Sequence, residues 1–307
     1  MTTAFISHPD CAHHEMGAGH PECPGRLSAI NDQLISSGLD ILLRHYEATL
    51  ASREQLSRVH DEQYIETLFQ LAPTDETLVW VDSDTGMNSH TLTAARRAAG
   101  ASIQAVDLVM KGEVSNAFCS VRPPGHHAEH KRAMGFCFFN NVAVAAAHAL
   151  DAWGLERVAI VDFDVHHGNG TEDIFKDQPC VLLCSTFQHT FYPFSDANSS
   201  NDHIIKVPLP AGTTGDEFRR AMQARCLQSL TEFKPQLILI SAGFDGHVED
   251  EMAEFHLKEQ DYAWVTQEVK TIANDYCDGR IVSVLEGGYA LSALGRSVAA
   301  HLRVLLS

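Results

Sequence analysis

Five short runs in this 307-residue chain are apolar on both faces, and helical patterns separate them. They are 117–121 (AFCSV), 158–165 (VAIVDFDV), 180–186 (CVLLCST), 236–242 (QLILISA) and 280–285 (RIVSVL). A strand with no polar face has to be covered on both sides, which points to a parallel sheet between helical layers. Apolar residues spaced three and four apart, with glycine stops such as Gly38 and Gly112, predict helices at 26–37, within 52–71, and at 91–111, 139–153, 214–233, 257–275 and 291–306. No repeat, low-complexity tract or linker divides the sequence, so one α/β domain over 1–307 is expected.

The segments just after these strands are polar. After Val121 comes RPPGHHAEH, after Val165 HHGNG, after Ile240 SAGFDGH and after Leu285 EGGY. Open parallel sheets bind ligands beyond the carboxyl ends of their strands. Four strands here bring glycine together with His, Asp or Tyr to that one edge.

Charge inside an apolar strand is costly unless it is paired or binds a metal. In VDFDVHHGNG (161–170), the two-residue period of a strand puts Asp162, Asp164 and His166 on one side. Asp164, His166 and Asp245 make two carboxylates and one imidazole with a coordination position left open. That is the catalytic zinc pattern, although iron(II), manganese and cobalt accept the same donors. His126 and His127 sit on the stiff Arg122-Pro123-Pro124-Gly125 turn and suit base and acid roles near neutral pH. Asp162 is placed to orient one imidazole, and Asn169 to hold the other. Tyr289, after two glycines, can reach a developing oxyanion.

Composition narrows the classes. Eight scattered cysteines without a CxxC pair fit free thiols in a reducing cytoplasm. A net charge of −18 with no basic block longer than a pair argues against nucleic-acid binding. No apolar run is long enough to span a bilayer, and MTTAFISHPDCAHHE does not read as a secretory leader.

Together, HPECPGRL (20–27), RPPGHHAEH (122–130), GFCFFNNVAVAA (135–146), VDFDVHHGNGT (161–171), SAGFDGH (241–247) and EGGY (286–289) resemble the zinc-dependent histone deacetylase and acetylpolyamine amidohydrolase superfamily. The detail is most similar to its class II branch and bacterial members. The resemblance implies an arginase-like fold with a mostly parallel sheet of about eight strands and helices on both faces. It implies Zn2+ on Asp164, His166 and Asp245, His126 paired with Asp162 as an electrostatic partner, and His127 as general base and then acid. Tyr289 would polarise the acyl carbonyl. Phe136 and Tyr192 would line the channel, the family more often having phenylalanine at the second position, and the Gly135 carbonyl would accept the substrate amide N–H. Met252, Gly287, His20, Pro21 and Glu22 would also face substrate, the last three at the channel rim. A structural K+ would use Asp162, Asp164, His166, Ser185 and Thr186. His127 is partnered by Asn169, where other members carry aspartate.

The expected activity is hydrolysis of acyl-lysine in proteins or peptides, with a homo-oligomer open. The alternative is an acetylated polyamine substrate. Met252 stands where polyamine-selective members place glutamate, yet Glu249, Asp250 and Glu251 lie beside it and would attract a cation.

Overall fold

The computed structural model describes residues 2–197 and 202–307. Its strands are β1 (Thr3–Ser7), β2 (Arg44–Glu47), β3 (Val79–Trp80), β4 (Gly86–Met87), β5 (Asn116–Cys119), β6 (Val158–Asp162), β7 (Val181–Gln188), β8 (Ile204–Leu209), β9 (Leu237–Ala242) and β10 (Ile281–Leu285). Eight of them form one sheet in the order β2-β1-β5-β10-β9-β6-β7-β8, and every ladder in it is parallel. β3 and β4 form a separate antiparallel hairpin.

The helices are α1 (Gly25–Ser36), α2 (Arg53–Ser57), α3 (Glu62–Leu71), α4 (Thr91–Met110), α5 (Asn141–Trp153), α6 (Asn169–Phe175), α7 (Gly215–Ala221), α8 (Gln228–Phe233), α9 (Glu259–Tyr276) and α10 (Leu291–Leu306). A π-helical turn, Met222–Leu227, joins α7 to α8, so the helix expected at 214–233 is continuous. The helix expected within 52–71 is instead two. The Ser52 side chain caps the first and the Asp61 side chain the second, and each cap restarts the backbone.

Helices cover both faces of the sheet. Consecutive strand residues point to opposite faces: Phe118 meets the His301 ring of α10 at 5.7 Å, whereas its neighbour Cys119 meets Ser102 of α4. All residues of β5, β6, β7, β9 and β10 are buried, which accounts for their unbroken apolar character. The four strands whose polar tails drew attention are contiguous in the sheet as β5-β10-β9-β6. Their tails therefore meet.

One expectation fails in detail. The strand read as 158–165 stops at Asp162. Asp162 Oδ1 accepts the amide of Asp164 at 3.1 Å, and Asp164 Oδ1 accepts the amide of His166 at 2.9 Å. Two successive aspartate turns of this kind bend the chain away from the ladder. Asp162, Asp164 and His166 still converge, through turn geometry and not through the strand period.

Candidate metal centre and active site

Beyond β6 and β9, Asp164, His166 and Asp245 are all buried, and one donor atom from each lies within 4.8 Å of the others. His166 Nδ1 is 3.0 Å from Asp164 Oδ1 and 3.2 Å from Asp245 Oδ2. The outer carboxylate oxygens are fixed from behind, where Gly287 N–H donates to Asp164 Oδ2 (2.8 Å) and Val165 N–H to Asp245 Oδ1 (3.1 Å). Gly243 and Gly287 allow this approach, because a Cβ at either would overlap the Asp164 carboxylate.

Asp245 Oδ2 is buried without a well-formed hydrogen bond. Burial raises the Asp245 carboxyl to about 6, and the Asp164 charge beside it pushes the same way. Asp164 is buried too, yet the His126 and His166 imidazoles hold it below the carboxylate range. Two packed carboxylates, one orphaned oxygen and an imidazole nitrogen fit a divalent metal with N/O preference.

The two histidines of the Pro-Pro-Gly turn differ in charge. Burial opposes the His126 imidazolium, but Asp164 and Asp162 outweigh it and raise His126 to about 10. Its Nδ1 donates to Asp162 Oδ2 at 3.0 Å. His127 is pushed well below its usual value by burial and by the neighbouring His126 and His166. Asn169 Nδ2 donates to Glu129 Oε1 (2.8 Å), which turns Asn169 Oδ1 toward His127 Nδ1, also 2.8 Å away. The carbonyl oxygen fixes the proton on Nδ1 and leaves Nε2 free to accept one. One imidazole is therefore charged and its neighbour neutral.

A cavity of about 220 Å³ leads to this centre. Phe136, Tyr192, Met252, Gly135 and Tyr289 line it, together with His127 and His166. Phe136 holds φ at 68° and packs edge-on against Tyr289 at 5.9 Å. His20 packs edge-on against Phe136 at 4.7 Å, and Pro21 beside it is partly buried. Tyr289 lies with its ring 5.0 Å from the Arg26 guanidinium, and burial keeps its phenol protonated.

One residue expected at the substrate, Glu22, is committed elsewhere. Glu22 is fully buried behind the site, where its carboxylate pairs with Arg122 and Arg26 and stands 3.3 Å from His14 Nε2. A carboxylate between two buried guanidiniums cannot also stand at a solvent rim. Gly287 lies against the metal centre, its amide donating to Asp164.

Three others escaped the sequence reading. Phe191 stacks on His166 at 5.7 Å, and Asp84 brings a carboxylate to the cavity. Glu286 Oε2 accepts the amides of Gly125 (2.6 Å) and His126 (3.1 Å), holding the histidine turn from below. Burial raises Glu286 to about 7.

The residues expected at a potassium ion lie together, since Asp162 is in register with Ser185. Thr186 Oγ1 is 3.5 Å from the Asp162 carbonyl. Ser185 Oγ is buried without a hydrogen-bond partner.

Comparison with known proteins brings several together. Residues 20–305 match the family model described as the histone deacetylase domain. A histone deacetylase-like amidohydrolase of Pseudomonas aeruginosa is 39% identical over 89% of this chain and 73% of its own length. The polyamine deacetylase HDAC10 of Mus musculus is 38% identical over the whole of this chain and 48% of its own. Among solved structures, the HDA15 HD domain matches with a TM-score of 0.92 and 34% identity, over 99% of this chain and 88% of that one.

Proposed function

Since this chain belongs to the histone deacetylase family and is a hydrolase of that kind, we propose that it removes acetyl groups from the ε-amino group of lysine in proteins or peptides. The observation that carries this reading is a narrow, mostly apolar cavity ending on a neutral His127 beside buried Asp164, His166 and Asp245. Such a channel suits an aliphatic stem with one polar head.

Zinc, held by Asp164, His166 and Asp245, would supply Lewis acidity to the acyl carbonyl and lower the pKa of a water. His127 Nε2 takes the proton of the attacking water and later delivers it to the departing amine. His126, kept cationic by Asp162, places positive charge beside the developing anion without itself transferring a proton. The Tyr289 phenol, which burial keeps protonated, donates a hydrogen bond to the oxyanion. Gly135 offers its carbonyl to the substrate N–H, and Phe136 and Tyr192 exclude water from the stem. A potassium ion beside Asp162, Asp164, His166, Ser185 and Thr186 belongs to the same reading and is supported by the orphaned Ser185 hydroxyl.

Two of the three acids beside Met252 are already engaged, Glu251 being exposed, and this supports lysine over a polycation. Within the acidic run, Asp250 is turned inward and Glu249 is paired with Arg296 Nη2 at 2.6 Å. A second reading, acetylated polyamines, draws on the Asp84 carboxylate in the cavity wall and on the polyamine deacetylase relative. Side-by-side turnover of the zinc-loaded protein on an acetyl-lysine peptide, N-acetylputrescine and acetylspermidine decides between them. Higher kcat/KM on the peptide is expected. Clear preference for either polyamine sinks the lysine assignment.

A further inference from the structure

Asp250 looked from the sequence like one of three mouth acids, but it is buried and faces inward. Its Oδ2 accepts the amide of Tyr289 at 2.6 Å and that of Ala290 at 2.9 Å. Its Oδ1 accepts the amide of Met252 at 3.0 Å. Ala290 is the N-cap of α10, and it has no side chain with which to cap that helix.

A carboxylate from a loop distant in sequence therefore does what a capping side chain does, where the helix dipole favours negative charge. The shorter of its two bonds reaches past the cap to Tyr289 itself. The residue before Tyr289 is Gly288 at φ +121°, where a Cβ would crowd Leu294 Cδ1 at 2.8 Å. Glycine is obligatory in that turn and contributes no side chain to hold it. The peptide carrying Tyr289 is thus held from outside at both ends, by Arg26 Nε on the Gly288 carbonyl (2.7 Å) and by Asp250 on the Tyr289 amide.

We propose that Asp250 is a positioning residue for Tyr289: its carboxylate clamps the Tyr289 backbone, sets where the phenol lies, and ties it to the channel residue Met252. This rests on the deacetylase reading above, in which Tyr289 donates to the oxyanion. Charge-assisted bonds to two amides restrict the turn more than neutral ones would, and misplacing a reacting group by about 1 Å can cost about 10²-fold in rate.

The test combines turnover with hydrogen–deuterium exchange on the zinc-loaded protein. Asp250→Ala is expected to lower kcat by about 10- to 100-fold, leave KM and zinc content unchanged, and speed exchange in segment 287–292. Asp250→Asn keeps one acceptor for Tyr289 and Ala290 but sets an NH2 against the Met252 amide. It should recover part of the kcat and part of the protection, and it serves if the alanine variant does not fold. In a Tyr289→Phe background, Asp250→Ala should cost almost nothing further. Equal kcat losses in both backgrounds, or unchanged exchange in 287–292, overturn the proposal. A wild-type protein that holds zinc yet hydrolyses none of the acylated amines overturns the deacetylase reading instead, and the exchange arm still decides whether Asp250 clamps the turn.

Discussion

Two sets of buried charges lie back to back in this molecule and are built on opposite terms. Behind the site, Arg122 Nη2 donates to Glu22 Oε2 at 2.7 Å and Arg122 Nη1 to the Cys11 carbonyl at 2.8 Å. Arg26 Nη1 donates to Glu22 Oε1 at 3.1 Å, and Arg26 Nε to the Gly288 carbonyl at 2.7 Å. Although burial opposes its charge, Glu22 is held far below the usual carboxylate range by Arg122, His14 and Arg26. In front, Asp162, Asp164, Asp245 and Glu286 are met by imidazoles, chiefly His126 and His166, with no guanidinium or ammonium paired to them among the described residues, and one carboxylate oxygen has no well-formed bond. The rear set is satisfied from within the chain and holds the EGGY turn in place. The front set is left short of positive charge and so has a use for a ligand. Burial alone does not separate architecture from chemistry; the balance of partners does.

The strongest way to break this contrast is Asp245→Asn. Turnover should fall by more than about 10³-fold, and elemental analysis should find the metal lost. Removing a carboxyl that burial raises to about 6 should leave the melting temperature of the zinc-stripped protein equal or higher at pH 7. Unfolding of that protein would mean the front set is structural after all. Glu22→Gln tests the rear set, since breaking a buried pair on one side costs about 3–5 kcal/mol. Urea denaturation should show a loss of that order, while the folded fraction still takes up zinc. Little change in midpoint would remove the distinction between the sets.

A subtler change sharpens the front set. Asn169→Asp puts a carboxylate on His127 Nδ1, which should raise its pKa. His127 acts when neutral, so the acid limb of the kcat/KM profile should move to higher pH. An unmoved limb would exclude His127 as the base. The smallest effect concerns His301, which belongs to neither set and bonds Ser283 (2.9 Å) and Thr266 (2.6 Å). Burial lowers it from 6.5 to about 3. The unfolded chain therefore takes a proton that the folded one refuses, and stability is lost as pH falls from 6.5 toward 3, by at most about 1.4 kcal/mol per unit. His301→Gln should flatten that slope in thermal melts, with or without zinc.

Much of the site could be read from the sequence because its residues cluster in short stretches at strand ends. Asp164 and His166 are two apart, His126 and His127 adjacent, and the strands beneath them carry uniform apolar runs. The rest depends on partners far away. Glu22 meets Arg122 across 100 positions, and Asp250 meets Tyr289 across 39. Nothing in the acidic run 249–251 tells which of its members turns inward. The outlying strands were missed for another reason. β2 carries exposed polar residues, and β8 interleaves Lys206 and Pro208 with its apolar positions, so neither shows the fully buried pattern. The break after Asp162 was hidden because aspartate side chains that turn a chain look, in one dimension, like strand residues.

The strand order has a further consequence for how the molecule comes into being. β10 lies between β5 and β9, yet it is the last strand of the sheet to be synthesised. Until it emerges from the ribosome, β5 and β9 each present an unpaired edge, the kind of surface on which nascent chains pair wrongly. Glu286 and Tyr289 arrive only behind it. A truncated translation product therefore lacks the wedge that closes the sheet along with the groups that complete the site. Slower synthesis or lower temperature during production should raise yield by giving that late insertion time to occur.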